Sequence, residues 1–175
     1  YLTGMLRFQA TQKNLLFIED IPDNLPEYVV TDQRRLRQIL INLLSNAIKF
    51  THTGSVSFSV RWNMEIATFI IKDTGIGIPD ADMERIHEPF QRSSHPDAQK
   101  IPGTGLGLTI TRLLVQILGG ELTITSRVGE GTSCRVKLML ARTEVKKDSI
   151  PVLNVLRHEG SRRPTVFVVD DDTVH

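Results

Sequence analysis

Asn42, Asn46 and Lys49 recur at i, i+4 and i+7, so at about 100° per residue they line one stripe of a helix. Leu36, Ile39, Leu40, Leu43, Leu44 and Ala47 share a separate, apolar face of the same helix. Two carboxamides and an ammonium at the border of a buried face suit a magnesium ion and a phosphate chain. Taken alone, the stripe reads equally well as the solvated flank of an amphipathic helix. A second group, Asp73-Thr74-Gly75-Ile76-Gly77, stands at the end of a strand-like run. A carboxylate there can accept a hydrogen bond from an adenine amino group, while the glycines let the base approach closely. A simple strand-end turn fits that segment as well. The third group is Gly103-Thr104-Gly105-Leu106-Gly107-Leu108, which opens another helical run. Glycines at a helix N-terminus expose N–H groups to phosphate, though three of them also make a flexible hinge. The spacing is neither a Walker A loop nor a dinucleotide fingerprint, whose acidic residue follows its glycines; here Asp73 precedes them.

These groups need a frame, and the pattern of the chain supplies one. Asp32 is placed to cap a helix running to about Phe50, ended by Thr51-His52-Thr53-Gly54. Leu15 to Ile18 reads as a strand, broken by the Pro-containing segment 21–26. Ser55–Trp62 and Glu65–Ile71 alternate around a turn at Asn63-Met64, and Glu121–Ser126 and Thr132–Leu140 around Gly129-Glu130-Gly131; both are hairpin signals. A short helix is expected over Asp80 to His87, a loop over 88–104, and a helix from about Leu106 to Leu118, closed by Gly119-Gly120. The sum is an α+β fold, with a mixed sheet covered by helices on one face.

Composition narrows the function classes. Twenty-one basic against twenty acidic residues in 175 leave a formal charge of +1. That balance supports neither a nucleic-acid surface nor a polybasic membrane surface, so no contact with nucleic acid or membrane is expected of this chain. The one cysteine, Cys134, excludes an internal disulfide and any multi-cysteine metal site, and reads as core packing. No apolar run approaches a membrane span. The chain reads as a piece of a longer cytoplasmic region, whose parent can be membrane-anchored.

The order of the groups carries more than any one of them. An N-x-x-x-N-A-x-K helix, then D-x-G-x-G, then Glu88-Pro89-Phe90, then G-T-G-L-G-L resembles the N, G1, F and G2 boxes of sensor histidine kinases, within the wider gyrase, chaperone and mismatch-repair ATPase superfamily. Segment 32–38 leading into the first box and the Ser126-x-x-Gly129-x-Gly131-Thr132 finish are similar to that family too, and the likeness covers roughly residues 10–140. The resemblance implies a two-layer α/β sandwich with a mobile nucleotide lid, and ATP and Mg²⁺ as ligands. It implies Asn46 as magnesium ligand with Asn42 assisting, and Lys49 as a phosphate contact. It further implies Asp73 on the adenine amino group beside Gly75 and Gly77, and Gly103, Thr104, Gly105, Leu106 and Gly107 at the hinge and phosphate edge. Thr132 would support the adenine end. Arg92 and Lys100 are cationic candidates for the γ-phosphate, and read equally as solvated loop charges.

One position separates branches of that superfamily. Relatives that hydrolyse ATP usually carry a glutamate base four residues before the second asparagine; here that residue is Asn42, which cannot take a proton from water near neutral pH. Transfer to a histidine is mostly positioning and charge stabilisation, so the resemblance favours a kinase over a conformational ATPase or a non-catalytic nucleotide-binding regulatory module. The acceptor motif H-E-x-R-x-P is absent; His87 starts the F box and is not the acceptor, and His52, His95, His158 and His175 read as solvated. Ile101-Pro102 stands before Gly103 where many relatives carry an aromatic and a glycine, which stiffens the lid. Residues 1–13 read as the end of the dimerisation and phosphoacceptor helix, 14–141 as the catalytic domain and 142–163 as a linker. Residues 164–175 resemble the start of a receiver domain, with Asp170 and Asp171 matching its acidic pair; an arbitrary acidic strand end is the alternative. The expected partners are an acceptor domain and a receiver domain of the same parent, itself a homodimer. An isolated apolar strand at 165–169 should be disordered or pair with an exposed edge.

Overall fold

Asp32 opens the helix that organises the fold. In the computed structural model, which describes residues 2–26, 28–142 and the backbone of 167–169, Asp32 Oδ1 accepts the Arg35 N–H at 2.9 Å. That bond satisfies one of the orphan donors of helix α2 (Gln33–Phe50), and it is the cap expected from the sequence. The helix buries Leu36, Ile39, Leu40, Leu43, Leu44, Ala47 and Ile48. At ~1.5–3 kcal/mol for each large aliphatic side chain withdrawn from water, this face supplies a large share of the packing energy.

The face lies on a five-stranded sheet of order β1-β3-β4-β6-β5. Its strands are β1 (Leu16–Asp20), β3 (Ser55–Asn63), β4 (Ile66–Asp73), β5 (Glu121–Arg127) and β6 (Gly131–Met139). β1 runs parallel to β3 and every other pairing is antiparallel, so the sheet is mixed. Val56, Phe58, Val60, Ala67, Phe69, Ile71, Val136 and Leu138 alternate inward and are buried. Ser57, Ser59, Thr68, Lys72, Ser133, Arg135 and Lys137 alternate outward, so one face is wet and the other carries the helices. This is the α+β, two-layer arrangement expected from the sequence.

Helix α1 (Leu2–Gln12) belongs to the same core. Leu6 and Ala10 are fully buried, and Arg7 forms an ion pair with Glu19 of β1. A boundary at residue 13 therefore runs through a packed unit. Helix α4 (Gly107–Ile117) packs on α2 through Thr111 and Val115, and Gly119 closes it at φ +67°.

Several elements differ from expectation. The helix expected over Asp80–His87 is only a single 3-10 turn, Asp80–Asp82, followed by further turns. The loop expected over 88–104 contains a short helix, α3 (Pro96–Lys100). A second, three-stranded sheet of order β7-β2-β8 was not foreseen: β2 (Tyr28–Val30) pairs antiparallel with β7 (Ala141–Arg142) and parallel with β8 (Phe167–Val169). The strand in 165–169 thus does meet an exposed edge. Asp170 and Asp171, the linker from 143 and His158 and His175 lie outside the described residues. Among the described residues no helix is long and apolar enough to cross a membrane.

The β3–β4 turn carries avoidable strain. Its two loop residues are Met64 and Glu65, both left-handed at φ +43° and +56°, a twist that suits a hairpin but favours Asn-Gly. Met64 is 82% exposed, and Glu65 is used through its carbonyl, which accepts the Leu140 N–H at 2.7 Å. Replacing Met64→Asn and Glu65→Gly together is expected to stabilise the protein by ~1–2 kcal/mol. Thermal melting checks this; an unchanged or lowered Tm contradicts it.

Candidate functional site

Between the C-terminal half of α2, the end of β4 and the start of α4 lies a cavity of about 290 Å³. Asn46, Lys49, Asp73, Gly77, Arg92, Gly103, Thr104, Gly105, Gly107 and Thr132 all line it, so residues distant in sequence share one wall. Leu43, Ala47, Ile71, Ile76, Ile78 and Ile86 give that wall its apolar surface.

Asp73 is the carboxylate of the cavity wall, and it is half-buried. Its Oδ1 accepts two backbone N–H groups, from Gly75 at 2.9 Å and Thr132 at 3.2 Å. Burial nevertheless raises its pKa above the ordinary carboxyl value, against the opposing pull of those two donors. Gly75 does not reach the cavity wall itself. It packs against the carbonyl of Phe50, where a Cβ would collide, and the Ile76 N–H donates to that same carbonyl at 3.2 Å. Gly77 lines the cavity at φ +73°, and a Cβ there would strike the Arg127 carbonyl. Cys134 also faces this end. Burial and the nearby Asp73 charge push its thiol up to about 12, which fits an inert packing role.

The other polar contributions come from α2 and the glycine loop. Lys49 Nζ lies 5.0 Å from the Phe50 ring centroid and against Gly103, where a Cβ would stand 2.7 Å from it. Partial burial, and then the positive charge of Arg92, lower the Lys49 pKa. Two cations that disfavour one another are relieved by an anion, as a polyphosphate would be. Asn46 stands beside the first turn of α4, with a Gly107 Cβ placed 3.8 Å from its Nδ2.

Asn42, Leu106, Lys100 and Arg92 take other places. Asn42 is not on the cavity wall: its Oδ1 accepts from Gln38 Nε2 at 2.7 Å, and its Nδ2 donates to Thr111 Oγ1 at 3.4 Å and Gly107 O at 3.5 Å. The stripe spacing was right, but the docking of α4 takes this amide, so Asn42 holds α4 in place. Leu106 likewise stays off the wall. Lys100 is 75% exposed and paired with Asp97 at 2.8 Å, as a solvated loop charge would be. Arg92 does reach the cavity, yet its Nη2 donates to the carbonyls of Ala98, Gln99 and Ile101 at 2.9, 3.1 and 2.7 Å. It caps α3 and shapes the segment that leads to Gly103. Of the two histidines expected to be solvated that are described, His52 is exposed, whereas His95 caps α3 by accepting the Asp97 N–H at 3.2 Å.

Sequence reasoning gave no role to Ser126, Thr111 or Asp82. Ser126 Oγ accepts the Ile78 N–H at 2.9 Å and bonds Gly131 O at 2.9 Å and Thr132 Oγ1 at 2.8 Å, tying the Gly77 turn to the β5–β6 hairpin. Its place in the S-x-x-G-x-G-T run was the available signal. Asp82 Oδ2 accepts from Ser93 Oγ, Ser94 N and Ser94 Oγ at 2.8, 2.6 and 3.0 Å, pinning the segment before α3. No local pattern announces that contact. The donor set also fits magnesium: Asn46 offers a carboxamide oxygen, and this ion keeps waters and phosphate oxygens as its other ligands.

The comparisons with known proteins agree with this geometry. A family model described as histidine kinase-, DNA gyrase B-, and HSP90-like ATPase matches residues 31–142. The aerobic respiration control sensor protein ArcB of Escherichia coli K12 is 36% identical over 166 residues, covering 89% of this chain and 21% of its own length. The virulence sensor protein BvgS of Bordetella bronchiseptica is 40% identical over 151 residues, 82% of this chain and 12% of that protein. Hybrid signal transduction histidine kinase A of Dictyostelium discoideum is 39% identical over 137 residues, 70% and 6% of the two chains. The chain thus spans about a fifth or less of these relatives. Full-length ShkA in complex with AMPPNP superposes with a TM-score of 0.70 at 28% identity, covering 82% of this chain and 29% of that one. The mycobacterial sensor histidine kinase MprB gives 0.66 at 24%, covering 81% and 95%, a likeness of fold. With its ordered boxes, its sheet and its cavity all in agreement, the chain belongs to the histidine kinase-, DNA gyrase B- and HSP90-like ATPase family.

Proposed function

We propose that this chain binds Mg-ATP in the cavity and donates the γ-phosphoryl group to a histidine on a dimerisation and acceptor domain of the same protein. The observation that carries the reading is the single wall shared by a half-buried carboxylate with ordered N–H partners, a carboxamide and a crowded ammonium. Asp73 accepts the adenine amino group, with Gly77 and Thr132 shaping that end. Lys49 and the Gly103–Gly107 loop hold the phosphates, the loop N–H groups and the α4 dipole adding positive potential. Asn46 would ligate the magnesium ion, which spreads charge off the transferring phosphoryl group.

Asn42 keeps α4 seated and supplies no base for water, so the site favours an external nucleophile. The acceptor imidazole attacks the γ-phosphorus, the bridging P–O bond breaks and ADP leaves. The ShkA structure is a complex with AMPPNP, and a relative is named a hybrid signal transduction histidine kinase, which supports a phosphorelay parent with a receiver domain. We place the reaction in the cytoplasm, where ATP is available. The test mixes this chain, Mg-ATP and the acceptor domain. Acid-labile, base-stable phosphate on that domain is expected. Steady phosphate release into water without transfer would replace the kinase reading with that of a conformational ATPase.

A further inference from the structure

A helix ends in carbonyls without intrahelical partners, and α2 ends beside the cavity. Ala47 O accepts from Thr51 Oγ1 at 2.7 Å, and Phe50 O from the Ile76 N–H at 3.2 Å. Ile48 O, Lys49 O and Thr51 O all accept from one group, the ammonium of Lys13, at 2.7, 3.1 and 3.0 Å. An ammonium has three N–H donors, so these carbonyls use its whole capacity. Lys13 sits in the turn after α1, its N–H donating to Ala10 O at 3.0 Å, and Ala10 and Leu6 are fully buried. The backbone of Lys13 is therefore anchored to the packed end of α1, while its side chain crosses an exposed surface to α2.

The two functional ends of the cavity depend on this contact differently. The Asp73 end has its own ties, through Gly75, Thr132 and Phe50 O. Around Lys49, the Lys13 ammonium holds its own carbonyl, that of the preceding residue Ile48 and that of Thr51, two positions on. We infer that Lys13 is a positioning residue for Lys49, fixing the last turn of α2 so that the Lys49 ammonium meets the nucleotide phosphates. This rests on the proposed ATP site and extends it to a residue outside the cavity wall. It also makes the packing of α1 a determinant of phosphate binding.

A double-mutant cycle tests it, with Mg-ATP affinity measured by calorimetry on the wild type, Lys13→Met, Lys49→Met and the double variant. Lys13→Met should weaken Mg-ATP binding about 5-fold, the scale of a cation lost from a partly buried helix C-terminus. The double variant should bind no more weakly than Lys49→Met alone, because Lys13 acts through Lys49. Independent, additive losses would overturn the role, as would wild-type affinity in Lys13→Met. If Lys13→Met does not fold, Lys13→Gln, which keeps two N–H donors without the charge, enters the same cycle with the same decisive outcomes. A wild-type protein that does not bind Mg-ATP would overturn the proposed function, and the positioning role with it, before any variant is compared.

Discussion

Asn46→Ala is expected to cut phosphoryl transfer by about 10²-fold or more, the scale for losing a preorganised charge-stabilising group. Asn46 lies on the cavity wall between buried Leu43 and Ala47 and is itself only half-buried. Truncating it removes a carboxamide without opening the core, so melting should change little. Nucleotide binding should fall less than transfer, because the adenine end has its own anchor in Asp73. Single-turnover transfer to the acceptor domain, alongside ATP affinity, separates the two effects. Undiminished transfer would remove Asn46 from the mechanism.

Asp73→Asn should weaken ATP binding about 10- to 10²-fold, since a hydrogen bond to a charged group contributes ~1.5–3 kcal/mol. The variant keeps a carbonyl oxygen for the Gly75 and Thr132 N–H groups, and so keeps the local backbone. Its stability should depend on pH in a defined direction. Burial raises the Asp73 pKa in the folded state, so the folded protein holds this proton more tightly than the unfolded chain. That contribution is complete below the unfolded carboxyl pKa of about 4 and is lost as pH rises through the higher folded value. At neutral pH the wild type therefore carries a half-buried charge that the variant lacks. The variant should melt no lower than the wild type at pH 7, and any advantage should vanish on acidification below about pH 4. Calorimetry and thermal melting check both halves. Unchanged ATP affinity would sink the adenine assignment.

Both targets were visible in the sequence, for a physical reason. Helix α2 spans 18 residues with an uninterrupted apolar face, and β3, β4 and the part of β6 from Cys134 onward alternate cleanly, so local pattern and tertiary burial agree. Segment 80–104 was misread because side-chain bonds to distant backbone shape it: Asp82 reaches Ser93 and Ser94, and Arg92 reaches the end of α3. A five-residue helix has too little length to show a period. Strands β2 and β7 have three and two residues and no alternation to detect. Asn42 shows the limit of periodicity itself. Spacing places a residue on a stripe, but only the docking of Thr111 and Gly107 decides which member of the stripe meets the cavity. The Lys13 ammonium is 35 residues from the nearest carbonyl it binds, beyond any local signal.

The small sheet has a mechanical consequence. Val29 pairs with Arg142 and Val30 with Ala141, so everything from α2 to β6 is a loop cinched at its neck by a two-residue ladder. Neighbouring strands stand only about 5 Å apart, so the chain leaves this loop almost where it entered. Tension arriving along the backbone beyond Arg142 would load that ladder before it could reach β6 and Thr132. Such a ladder unzips one rung at a time and at low force, while the wide sheet behind it would have to shear. The neck thus works as a strain relief, the short ladder giving way first while the cavity keeps its shape.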